Sequence, residues 1–195
     1  MKAITSALVI AGILSALALV AQDERSFIEA RIRKWQQAVA RNPSDYETLV
    51  SIGAAYGKLG EYETSLTYFN RAIAVNPSYA DAYAGLGSSY GFLGRPSEAL
   101  TALKKAVSLD PRNPITQGKL GTTLGKAGRY QEAITHLKEA IRLAPNMADA
   151  HFALGLAYLS VDDRKNASIE VEVLSRLDSH QADQLQSLIE RSTGR

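Results

Sequence analysis

The chain has 195 residues, 46% of them hydrophobic and 22% charged, which is enough for a sizeable core at a charge density ordinary for a folded protein. Its 22 basic and 20 acidic residues leave a formal charge of +2, so it carries neither the basic footprint of a nucleic-acid binder nor a polybasic membrane patch. With no cysteine, it has no disulfides, thiolate metal sites, cysteine nucleophiles or lipid-acylated cysteine.

The stretch MKAITSALVIAGILSALALVAQDE has a single basic residue, Lys2, then an apolar run from Ala3 to Ala21 relieved only by Thr5, Ser6, Gly12 and Ser15. Residues 1–21 therefore read as an export signal or a membrane anchor outside the fold. Ala16 and Ala18 supply an A-x-A ending for cleavage, while the run is close to the roughly 20 residues that span a bilayer. The expected location is exported, on the periplasmic or extracytoplasmic face of the membrane. Arg25, Arg31, Arg33 and Lys34 weigh the other way, toward a membrane-anchored chain facing the cytoplasm.

Beyond this segment a period governs the sequence. Pro43, Pro77, Pro111 and Pro145 recur at one constant interval, and Gly53, Gly87, Gly121 and Gly155 recur at the same one. Gly60, Gly94 and Gly128 keep that spacing too, with Asp162 in the fourth place. Between these marks the apolar residues follow helical spacing: Leu49, Ile52, Gly53 and Tyr56 form one stripe, Leu66, Phe69, Ala72 and Ile73 the next. Each unit is thus two helices and a turn. Gly60 and its counterparts sit where a first helix ends and a left-handed residue is wanted, a place that Asp162 tolerates. Each spaced proline stops a second helix.

These residues resemble the tetratricopeptide repeat family. The first unit reads Leu49, Ile52, Gly53, Tyr56, Ser65, Phe69, Ala72, Pro77; the second Tyr83, Leu86, Gly87, Tyr90, Ala99, Leu103, Ala106, Pro111. The third reads Gln117, Leu120, Gly121, Leu124, Ala133, Leu137, Ala140, Pro145. The fourth, His151, Leu154, Gly155, Tyr158, Ala167, Val171, Leu174, Ser179, puts Leu174 in the alanine's place and loses the proline, as a terminal repeat would. The resemblance implies an all-α fold, an α-solenoid with repeats at 46–79, 80–113, 114–147 and 148–179. Residues 22–45 carry Trp35, Ala38 and Pro43 at second-helix positions without a first helix, and read as an N-terminal cap. Residues 180–195, with Ala182, Leu185, Leu188 and Ile189 on one face, read as a C-terminal capping helix.

A search for chemistry turns up no enzyme. His136, His151 and His180 lie on different units without metal-site spacing, and His151 takes the aromatic core position of its repeat. The glycines of GLGSSYG, 85–91, each have a counterpart in a neighbouring repeat, and no strand precedes them as a dinucleotide fingerprint requires. Asn166-Ala-Ser168 matches a glycosylation acceptor. No nucleophile has a base grouped with it, and neither cofactor nor metal is expected.

The resemblance places a partner-binding groove on the first helices: Val50, Ala54, Gly57 and Lys58, then Ala84, Ser88, Gly91 and Phe92. The third repeat adds Gly118, Thr122, Gly125 and Lys126, and the fourth Phe152, Leu156, Leu159 and Ser160. Gly57, Gly91 and Gly125 admit two readings. They form a groove floor that receives a partner's backbone or apolar face, with Lys58 and Lys126 drawing its acidic groups and Phe92 as an anchor. Alternatively, they let adjacent first helices pack closely, or are inherited copies. Of the places where some relatives hold a peptide's terminal carboxylates, here Val50, Ala54, Gly85, Ile115 and Lys119, only Lys119 suits an anion. The expected function is a non-enzymatic scaffold for a protein or peptide partner, in the assembly of an envelope or secretion complex. The alternatives are a membrane-tethered cytoplasmic adaptor and an accessory subunit of an enzyme. Self-association through incomplete terminal repeats is a further expectation, and membrane contact is expected only through the N-terminal segment.

Overall fold

The computed structural model describes residues 22–192 in full and, for residues 2–21, the helical backbone alone. The side chains on which the signal or anchor reading rests lie outside the described residues. Among those described, no helix is long and apolar enough to cross a membrane.

Ten α-helices and no strands make up the described chain. It divides into two compact units, residues 1–75 and 76–195. The first holds α1 (Lys2–Arg41), α2 (Tyr46–Lys58) and α3 (Tyr62–Val75). The second holds α4 (Ala80–Phe92), α5 (Pro96–Leu109), α6 (Pro114–Lys126), α7 (Tyr130–Leu143), α8 (Ala148–Ser160), α9 (Arg164–Leu177) and α10 (Ser179–Ser192). Both are built from the helix–turn–helix repeat of an α-solenoid, a first helix of 13 residues answered by a second of 14.

The turn inside each repeat is the same device four times. Gly60, Gly94 and Gly128 have φ of 77°, 69° and 75°, and Asp162 follows at 60°. In the first, Gly60 N–H donates to Gly57 O at 3.1 Å and Glu61 N–H to Tyr56 O at 2.9 Å, which satisfies two of the carbonyls left over at the helix end. Arg95 to Tyr90, Arg129 to Leu124 and Asp163 to Tyr158 repeat the longer bond at 2.9 Å. Each second helix stops two residues short of its proline, at Val75, Leu109 and Leu143, because the ring has no N–H to extend the helix and crowds the preceding turn. Side-chain caps start several helices: Asp45 accepts from Thr48 N and Asn113 from Thr116 N, both at 3.0 Å, and Asp163 from Asn166 N at 3.2 Å.

Packing explains the other glycine series. A Cβ on Gly53 would lie 2.9 Å from Phe69, and one on Gly87 or Gly121 would lie 2.6 Å from Leu103 or Leu137. The first helices of the first three repeats are thereby notched to receive a large side chain of their second. Around the notches, Ser65, Ala72, Ala99, Ala106, Ala133, Ala140 and Ala167 are fully buried, so the helices approach closely. Unit 2 has its own continuous core, running from Leu103 through Leu120, Leu124 and Leu137 to Leu154, Leu174 and Leu185. Burying each such leucine contributes about 1.5–3 kcal/mol. Leu174, which breaks the small-residue rule of its position, is fully buried in that core.

Helix α10 closes the end of unit 2, with Ala182, Leu185 and Ile189 buried and Leu185 filling the notch at Gly155. Leu188 does not join them and is 38% exposed. At about 100° per residue it falls on the far side of Leu185 from Ala182 and Ile189, at the margin of the stripe.

Candidate functional site

In unit 2 the first helices α4, α6 and α8 pack side by side, and the expected groove residues lie along them. Gly91 is exposed, Phe92 is 71% exposed and Lys126 is exposed, while Ser88, Thr122 and Gly125 are half-buried. Phe152, Leu156 and Leu159 are half-buried against the core. Two residues differ from an open floor. Ala84 is 7% exposed and belongs to the core, and Gly118 is buried against Met147 and Ala140. The Ser88 hydroxyl donates to Ala84 O at 2.9 Å, within its own helix, as does Ser160 to Leu156 O. In unit 1, α2 carries Val50 and Gly57 half-buried and Ala54 and Lys58 exposed.

The glycines Gly57, Gly91 and Gly125 are not there for close packing. A Cβ on Gly91 would meet nothing within 4 Å, one on Gly125 would touch Ala133 at 3.8 Å, and one on Gly57 the Ser65 hydroxyl at 3.5 Å. Their φ values are not left-handed either, since the positive-φ residue of each turn comes three places later. The crowded glycines are those of the Gly53 series. Of the two readings, the close-packing one fails on these distances.

Two buried polar pairs occupy one pair of repeat positions. Gln117 donates its amide to Pro111 O at 2.8 Å and accepts from His136 Nδ1 at 2.8 Å. One repeat on, His151 donates Nε2–H to Pro145 O at 2.9 Å, because a carbonyl can only accept, and sets Nδ1 2.6 Å from Glu170 Oε2. His151 is 5% and Glu170 9% exposed, which closes both to a substrate. Burial holds the half-buried His136 below the ordinary imidazole value of 6.5, with Glu132 opposing and Lys104 assisting.

Lys119 is open to water, yet the protein around it pushes its amine below the ordinary lysine range, with Asp81 of α4 pulling the other way. Among the described residues, no three of His, Cys, Asp and Glu come together as a metal would need. Unit 1 adds a cleft of 380 Å³ between Gln36, Val39, Pro43, Ile52, Tyr68 and Arg71. Beside it Gln36 donates to the hydroxyls of Tyr56 at 3.2 Å and Tyr68 at 3.0 Å, whose rings stack 5.4 Å apart.

Comparison with known families gives two matches, a tetratricopeptide repeat model over residues 44–112 and a TPR repeat model over residues 126–161, together more than half of the chain. The chain belongs to the tetratricopeptide repeat family. Such repeats are scaffolds for protein–protein interaction and bind protein or peptide partners. No curated protein matches the sequence. Among solved structures, MamA superposes with a TM-score of 0.70 at 23% identity, over 80% of this chain and 91% of that one. YrrB, a TPR protein with an unusual peptide-binding site, gives 0.69 at 21% identity over 83% and 84%. A thermophilic TPR protein of Thermus thermophilus gives 0.65 at 23% identity over 86% and 91%. At these identities the likeness is one of fold.

Proposed function

We propose that this tetratricopeptide repeat chain is a non-enzymatic adaptor that holds a segment of a partner protein along the first helices α4, α6 and α8. The observation that carries the reading is the open backbone at Gly91, where even a methyl group would find no neighbour, on the same face as Phe92 and the apolar Phe152 and Leu156. An extended segment can lay its backbone over such a strip and its apolar side chains at either end. Lys126 supplies positive charge at the helix ends, where an acidic group on the partner would be favoured.

The apolar run at 3–21 supports export or anchoring, with the repeats outside the cytoplasm and the partner in an envelope or secretion complex. A compartment-dependent reporter fused after Arg195 tests this, since activity on the cytoplasmic side would favour the tethered adaptor instead. For the adaptor reading itself, residues 22–195 serve as bait beside a Ser88→Arg/Thr122→Arg variant that fills the strip, both with matching helical circular dichroism. A partner retained by the parent and lost by the variant supports the reading; one held equally by both refutes it.

A further inference from the structure

Helix α1 is a second helix whose first is missing. Arg31, Trp35 and Ala38 stand one repeat period before Ser65, Phe69 and Ala72, and in phase with Ala99, Leu103 and Ala106 and with Ala133, Leu137 and Ala140. All nine of those counterparts are 3% exposed or less, each set covered by the first helix of its own repeat. In α1 the same positions are open: Arg31 is exposed and Trp35 and Ala38 are only half-buried, while Ile32 and Val39 on the neighbouring face are buried. The Arg31 guanidinium lies over the rings of Trp35 at 4.6 Å and Phe27 at 5.8 Å. It shields part of the face that the first helix covers in the next three repeats.

At about 100° per residue, Arg31 and Lys34 lie on or beside this face within the span that matches the other second helices, Glu24 lies on it two turns before Arg31, and Arg33 lies on the opposite side of the helix. Arg25 is paired with Glu29 and Glu61, but among the described residues no carboxylate pairs with Arg31 or Lys34. We propose that this face of α1 is a seat for an acidic amphipathic helix of a partner protein, which supplies the absent first helix. That helix sets a glycine or alanine opposite Trp35, as Gly53 is set opposite Phe69, and carboxylates opposite Arg31 and Lys34. The end helix of a second copy is a poor match. That helix, α10, contains no glycine, its alanine Ala182 is 5% exposed in its own core, and its outer face mixes Asp183 and Glu190 with Gln184, Gln186 and the basic Arg191.

Trp35 is the chain's one tryptophan, so its emission reports on this seat directly. The test uses the full chain in uncharged detergent, titrated with two synthetic helical peptides that share an apolar face and a central glycine and differ only in flanking glutamates or lysines. The expected result is a saturable blue shift of Trp35 with the glutamate peptide, at roughly tenfold or more tighter affinity than with the lysine peptide. Arg31→Glu with Lys34→Glu, at exposed positions and with unchanged circular dichroism, inverts the preference. The Ser88→Arg/Thr122→Arg variant still binds the glutamate peptide, which separates this seat from the strip on α4, α6 and α8. The proposal is overturned if neither peptide shifts the emission, if both bind alike, or if the double charge reversal leaves the preference unchanged. It is also overturned if anionic vesicles alone reproduce the shift, or if sedimentation shows a dimer whose dissociation on dilution reddens Trp35, which would give the face to lipid or to a second copy.

Discussion

Glycines of identical period serve opposite ends here, and their neighbours tell them apart. At Gly121 an added methyl would press on the Leu137 side chain at 2.6 Å and its backbone N at 3.1 Å, so Gly121→Ala should cost about 1–3 kcal/mol. At Gly91 nothing is touched, and Gly91→Ala should stabilise by up to about 1 kcal/mol through helix propensity. Urea denaturation of the two variants checks both signs. Asp162, held at φ 60°, should gain about 1 kcal/mol on replacement by glycine, since its exposed ion pair with Arg164 at 2.8 Å contributes little. His136 sets a pH dependence. Its proton affinity is lowered in the fold, so the unfolded chain takes up the proton first. Its contribution is complete above pH 6.5 and is lost as pH falls below that value. His136→Gln should therefore flatten the acid side of a melting-temperature profile measured from about pH 5 to 8.

At the scale of the helix pair, the buried His151–Glu170 contact is the least replaceable by halves. Glu170→Ala leaves the ring without its partner and should cost about 3 kcal/mol by urea denaturation. Adding His151→Tyr reproduces the Tyr83 and Ala102 of the second repeat and should restore most of the loss, a coupling that a double-mutant cycle measures. The helix pairs themselves were legible in the residues because proline and glycine mark helix ends by backbone geometry alone, with no need of tertiary context. Glu170 was not legible as the partner of His151, because a carboxylate nineteen residues away meets a ring only once two helices have packed. Gln36 between Tyr56 and Tyr68 escaped notice for the same reason.

For the molecule as a whole, the division after Val75 and the continuous core of unit 2 predict that residues 76–195 alone fold cooperatively. Circular dichroism of that fragment, with helicity and a sharp melt like those of the full chain, is the expected outcome. A broad, non-cooperative melt would show that the core depends on unit 1. The candidate strip was only half legible. Its positions follow from the repeat, but that Ala84 and Gly118 belong to the core while Gly91 stands clear depends on how α4, α6 and α8 lie together. The seat on α1 was visible in the residues only as a missing helix, and its meaning comes from the nine buried counterparts.

The joints of unit 2 also bear on how such a protein can change length. Between α5 and α6, and between α7 and α8, four residues including a proline separate the helices, whereas α10 begins with only Asp178 between it and α9. A copy of residues 114–147 inserted after Met147 would keep the native joint to Ala148 at one seam and, at the other, set a first helix in phase against α7. The same addition after Asp178 would arrive out of phase, facing a helix that has spent its apolar side and shows glutamines outward. Duplication can therefore lengthen this chain from within, but its far end is closed to growth.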